Sequence, residues 1–168
     1  AYVAPDWTAD WLHREAMFIL DSWAKEDGGT GYDALGAEQQ AMLKGRLKEV
    51  LRTNTYDDAS GTVTIDPVRE QAWRANSAYY AKMFADGHEH YAIQKGLLTD
   101  ARQAQQMADF FWWTSWSAAT NRPGDDVTYT QNWPHEPLID NVPPADNILC
   151  SIISFILLIA GTVQLAEL

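Results

Sequence analysis

Apolar residues recur at helical spacing in four stretches of the chain and then give way to one long run without charge. In the first stretch, from about Thr8 to Glu26, Leu12, Ala16, Ile19 and Trp23 fall on one face of a helix, widened by Trp7, Trp11 and Phe18. Asp6 or Thr8 is placed to cap its start, and Gly28-Gly29 stops it. A second helix is predicted from about Ala37 to Thr53, ending near Asn54. Leu43, Leu47, Val50 and Leu51 form its buried stripe, and Lys44, Arg46, Lys48 and Glu49 its exposed face. Asp66-Pro67, a cap followed by proline at the first helical position, opens a third helix through Val68, Ala72, Ala75, Tyr79 and Met83 to a stop at Gly87. The fourth begins near Thr99-Asp100, passes Met107 and Ala108 into the aromatic run Phe110 to Trp116, and ends before Asn121 to Gly124. Between the second and third helices, Tyr56 to Asp66 is turn-forming and then alternates β-branched residues, which predicts a short strand or extended loop.

The run after Asp146 differs in kind. Residues Asn147 to Ala166 carry no charge and are mostly apolar. A hydrocarbon core about 30 Å thick needs about 20 helical residues at roughly 1.5 Å each, so this run is long enough to cross a bilayer. The expected organisation is a helical domain over residues 1–124, a proline-rich acidic linker over 125–146, and a membrane helix over 147–168 that belongs to a longer parent protein. Arg122 is the last basic residue before the span, and Asp125, Asp126, Glu136, Asp140 and Asp146 follow it. A flank without Lys or Arg points to the extracytoplasmic, periplasmic side.

Composition removes several classes of function. A net charge of -11 leaves no basic surface for nucleic acid. The single cysteine, Cys150, lies inside the apolar run, where it reads as a small packing residue. One thiol excludes an intrachain disulfide, a thiolate zinc site and the Cys-x-x-Cys-His attachment of a c-type haem.

Four features draw attention. The aromatic run Phe110 to Trp116 covers every side of its helix, so it belongs in a core or against lipid, and core packing is the favoured reading. His88-Glu89-His90 offers two imidazoles and a carboxylate, but nothing in the sequence brings a third imidazole to them, and a solvated turn after Gly87 is favoured. His13, on the first helix, is expected to make a partly buried polar contact. Trp133-Pro134-His135-Glu136-Pro137 is the most distinctive constellation. Its prolines restrict the backbone, Trp133 suits the membrane interface, and His135 and Glu136 are free to bond to the domain or to a membrane neighbour. The functional alternative is a proton-handling pair of His135 and Glu136.

Four segments taken in order resemble one family. They are Ala1 to Ala16 (AYVAPDWTADWLHREA), Leu51 to Asp57 (LRTNTYD), Phe110 to Gly124 (FFWWTSWSAATNRPG) and Tyr129 to Asp140 (YTQNWPHEPLID). They resemble the extracytoplasmic domain of quinol-dependent nitric oxide reductases, single-chain relatives of the haem-copper oxidases. The resemblance implies an all-α fold, a degenerate cytochrome-c-like helical domain without haem, followed by the start of the second membrane helix. It further implies a parent that reduces two NO molecules to N2O and water with quinol electrons at haem b, haem b3 and non-haem iron. Their ligands would lie in later membrane helices, so no catalytic, cofactor-binding or metal-binding residue is expected here. The implied partners are the membrane helices of the same parent and the lipid bilayer.

Other classes stay open at this point. The chain suits a membrane-tethered helical module that binds a protein partner, and residues 147–166 suit a buried helix of a soluble protein. A metalloenzyme centred on His88, His90 and His135 is the weakest of these readings.

Overall fold

The computed structural model describes residues 5–166. Residues 1–4, where the first family-like segment begins, and residues 167–168, where the expected span ends, lie outside the described residues. Five α-helices account for most of the chain: α1 (Trp7–Gly28), α2 (Ala37–Arg52), α3 (Pro67–Asp86), α4 (Ala101–Ala119) and α5 (Ala145–Ala166). A two-stranded antiparallel hairpin, β1 (Tyr56–Asp57) and β2 (Thr62–Val63), joins α2 to α3, with Tyr56 opposite Val63.

The helix ends obey local chemistry. The Asp6 carboxylate accepts from Ala9 N, that of Asp66 from Val68 N and that of Asp100 from Gln103 N, so three helices start on an aspartate that satisfies a free N–H. Helix α1 ends at Gly29 with φ 69°, a left-handed cap that glycine adopts without steric cost. Gly87 is more constrained. At φ 84° a Cβ would lie 2.8 Å from Lys95 N and 3.0 Å from Ile93 O, so the chain returning after the His88–Ile93 bridge fits only because no side chain is there.

Helices α1, α3 and α4 pack on one another, and α2 leans on α1. One apolar cluster gathers Leu12, Ile19, Leu20 and Trp23 of α1 with Leu43, Leu47 and Leu51 of α2, and Ile139 enters it from far along the chain. A second is aromatic: Trp11 stacks on Tyr80 at 5.4 Å, and Trp7 meets Tyr80, Phe84, Tyr91 and Phe111 within 5.9 Å. Such ring pairs contribute about 0.5–1.5 kcal/mol each beyond their buried area.

Two sequence expectations change. On α3 the buried stripe is Val68, Ala72, Asn76, Tyr80 and Met83, with Ala75 exposed and Tyr79 only half-buried. Polar residues cause the shift: Asn76 Nδ2 donates to the Trp11 carbonyl at 3.4 Å, and Arg69 Nε donates to Glu15 Oε1 at 2.7 Å. The aromatic run of α4 does not all enter the core. Phe111 and Trp116 are buried, whereas Phe110 and Trp113 stay exposed.

Helix α5 stands apart from this packing. From Ile148 to Thr162 every side chain is exposed, and α5 is the one helix among the described residues long and apolar enough to cross a membrane. It starts at Ala145, two residues before the uncharged run.

Candidate functional site

The segment from Asp125 to Pro144 links the helical domain to α5, and polar bonds fold it onto the domain. Arg52, at the last position of α2, is the hub. Its Nη1 donates to Asn141 Oδ1 at 3.0 Å, and its Nη2 donates to the Asp126 carbonyl at 2.6 Å and to Asn132 Oδ1 at 3.2 Å. Burial lowers the pKa of this guanidinium from its ordinary range, and Asp126 and Asp140 oppose that shift. One cation therefore fixes three points spaced along the segment, with charge-assisted bonds.

The segment also braces itself. Asn132 Oδ1 accepts from Thr128 N at 2.9 Å, Thr128 Oγ1 accepts from Asn132 N at 2.8 Å, and Asn132 Nδ2 donates to the Val142 carbonyl at 3.1 Å. Gln131 and Asn132 hold φ near 57°, a conformation that asparagine tolerates better than most residues. Asn141 is fully buried, and its Nδ2 donates to the Ala118 carbonyl at 3.1 Å and the Pro134 carbonyl at 2.7 Å. Thus Asn141 satisfies two backbone carbonyls through buried bonds, and Asn132 a third through a part-buried one.

The Trp133 to Pro137 constellation takes an alternating form. Trp133, His135 and Pro137 are exposed, and Pro134 and Glu136 are buried; the Trp133–Pro134 peptide is cis. Glu136 Oε1 accepts from Leu138 N at 3.0 Å and caps a short 3-10 turn, Pro137–Ile139. Its Oε2 lies 3.0 Å from His13 Nδ1 on α1. The carboxylate therefore faces His13, 123 positions away in sequence, and the alternative pairing with His135 is not made among the described residues, because neighbours in extended backbone point to opposite sides. Lys48 Nζ bonds to Asp140 Oδ2 at 2.8 Å just outside this turn, and that bond holds the Asp140 carboxyl below the usual range.

His88 precedes another 3-10 turn, Glu89–Tyr91, and His90 lies within it. The His88 ring stacks on Tyr91 at 4.6 Å, with the two imidazole centroids 6.4 Å apart. Among the described residues no group of three His, Cys, Asp or Glu side chains is close enough to hold a metal ion. Cys150 is exposed on α5.

Sequence reasoning missed Arg52, Asn132 and Asn141. A basic residue at the end of an apolar helical stripe is ordinarily read as favouring the helix dipole, and nothing local shows that the chain returns to it about 75 to 90 residues later. The single signal was density: two asparagines, each two positions before a proline, in a stretch with several turn residues.

The arrangement defines a class first: a small helical domain whose closing segment is bonded into its core and leads directly into an apolar helix. Residues 1–135 match the NorB cytochrome c-like domain of nitric oxide reductase, and the chain belongs to that family. The match ends at His135, just short of the buried Glu136 and of α5. No curated relative matches the chain. The family is part of an oxidoreductase of the membrane, which agrees with the membrane-length helix that follows the match.

A cytochrome c-like fold raises the question of haem, and the residues present do not fit a covalent c-type haem. Attachment needs two thiols two residues apart followed by histidine, and the chain has one thiol, on α5 and beyond the matched segment. Between α1, α3 and α4, Trp11 stacked on Tyr80, with Phe111 edge-on to Tyr80, occupies the interior.

Proposed function

We propose that the chain is the non-catalytic periplasmic domain of a quinol-dependent nitric oxide reductase, together with the start of the membrane helix that follows it. The observation that carries this reading is the pairing of a cytochrome c-like family match with the lack of any Cys-x-x-Cys-His motif. Without a covalent haem the domain offers no evident electron relay, so the parent would take electrons from a membrane quinol and reduce two NO molecules to N2O and water. Haem b, haem b3 and non-haem iron would be held elsewhere in the parent. The domain's part is structural: it seats on the membrane helices of the same parent chain and on the bilayer, held rigid by Arg52, Asn132 and Asn141. The absence of Lys and Arg after Arg122 supports a periplasmic location, and the net charge of -11 speaks against a nucleic-acid partner.

The test is a redox assay on the full-length parent. Its pyridine haemochrome spectrum is expected to show b-type haem alone, and a reduced quinol is expected to drive NO consumption where reduced cytochrome c does not. A c-type band, or turnover with cytochrome c and none with quinol, would overturn the proposal.

A further inference from the structure

One exposed aromatic ring of the domain, Trp133, lies beside α5, and depth along that helix says what covers it. Trp133 and Thr130 line a cleft whose other wall is Asn147, Ile148, Ser151 and Ile152, the first turns of α5. The uncharged run of α5 starts at Asn147 and is only as long as a hydrocarbon core is thick, so a spanning α5 has no slack and the core begins near Asn147. Asn147 to Ile152 covers about 7.5 Å of helix rise. Trp133 therefore sits at the boundary between headgroups and acyl chains.

From Trp133 and Thr130 the cleft continues into a larger groove of about 850 Å³, lined by Trp113, Trp116, Tyr129 and Pro134. Four rings of this groove are open to its occupant: Trp133 is 60% exposed, Trp113 56%, Tyr56 45% and Tyr129 41%. Among the described residues no basic side chain lines the groove or the cleft, and Asp6 is one of the groove's lining residues. Such a surface is wrong for an anionic headgroup. Hydroxyls of Thr8, Thr114 and Thr130 border the rings, an amphipathic lining suited to the ester region of a lipid.

We propose that this groove is a lipid site: the domain leans on the outer leaflet, and an acyl chain of a zwitterionic phospholipid fills the space between Trp113, Tyr129 and Trp133. The proposal rests on the reading of α5 as a membrane span, and the experiment separates the two. The full-length parent is reconstituted into nanodiscs of phosphatidylcholine with or without bromine on the acyl chains. Bromolipid is expected to quench part of the tryptophan emission, and the double variant W113F/W133F is expected to lose about half or more of that quenching, as rings at the interface should. The span is read independently by placing one thiol at mid-helix, Leu157→Cys with Cys150→Ser, and measuring its reaction with a membrane-impermeant maleimide. Quenching that W113F/W133F removes, with the mid-helix thiol protected, is the expected result. A protected thiol with quenching unaffected by W113F/W133F overturns the lipid site and assigns the groove to protein, leaving the span intact. A thiol labelled without detergent overturns both.

Discussion

Glu15 and Arg69 form the most buried ion pair of the described residues, and breaking it one side at a time should be the most costly change available outside the apolar core. The Arg69 side chain is 4% exposed and that of Glu15 0%, with Nε and Oε1 2.7 Å apart. Glu15 Oε2 and Arg69 Nη2 have no other partner among the described residues, so each charge depends on the other. At an effective dielectric of about 20, two unit charges about 4 Å apart attract by roughly 4 kcal/mol. Removing one leaves the other desolvated and uncompensated, and the expected loss for Arg69→Met or Glu15→Leu alone is about 3–5 kcal/mol. For a domain of this size that corresponds to a fall in melting temperature of roughly 10–17 °C. The double variant E15L/R69M replaces both charges with apolar groups, and its stability should return to within about 1 kcal/mol of the natural chain or exceed it. Near-UV circular dichroism of the chain in mild detergent, followed through heat and urea, reads all four species. Single variants costing under about 1 kcal/mol, or a double variant costing the sum of the two, would refute the claim that burial makes the charges interdependent.

Three other outcomes are expected. Burial raises the Tyr80 hydroxyl well above its ordinary pKa, and its bond to Asp10 adds to the shift; the neutral form is thus favoured in the fold. That contribution is complete below the unfolded-state pKa and fades as pH rises above it. Tyr80→Phe should cost about 1–2 kcal/mol at neutral pH and flatten the loss of stability above about pH 10, read by urea melts across pH. Gly87→Ala sets a Cβ against the Lys95 and Ile93 backbone at positive φ and should cost about 2–3 kcal/mol, with faster amide exchange in residues 88–96 as its local signature. His13→Ala withdraws a partner from the buried Glu136 carboxylate and should cost about 1 kcal/mol and increase proteolysis between Tyr129 and Asp140, whereas His135→Ala should change neither.

The four domain helices, the Asp66 cap and the apolar α5 were legible because each depends on neighbours within a few positions. The third helix shows where this ends. A reading that follows apolar residues selects Ala75 and Tyr79, while the interior takes Asn76 and Tyr80, since a polar residue with a buried partner can occupy a core position. Glu15 and Arg69 escaped for the same reason: each resembles a surface residue until the other is placed beside it. In the closing segment the prolines announced rigidity, but the choice of His13 over His135 for Glu136 depends on which side of the backbone each residue faces. The aromatic run of α4 was ambiguous in sequence because every position is apolar, and only the packing of α1 and α3 selects Phe111 and Trp116 over Phe110 and Trp113.

Arg52 carries a mechanical consequence. A flexible linker of 20 residues would wander over roughly 25 Å, leaving a membrane helix and its soluble domain free to tilt independently. Here one guanidinium grips positions 126, 132 and 141, and the last of these lies only four residues before α5. The joint behaves as a bracket more than a tether, so the angle at which α5 leaves the domain is set by the end of α2. Neutralising that buried guanidinium would therefore free the angle between α5 and the domain.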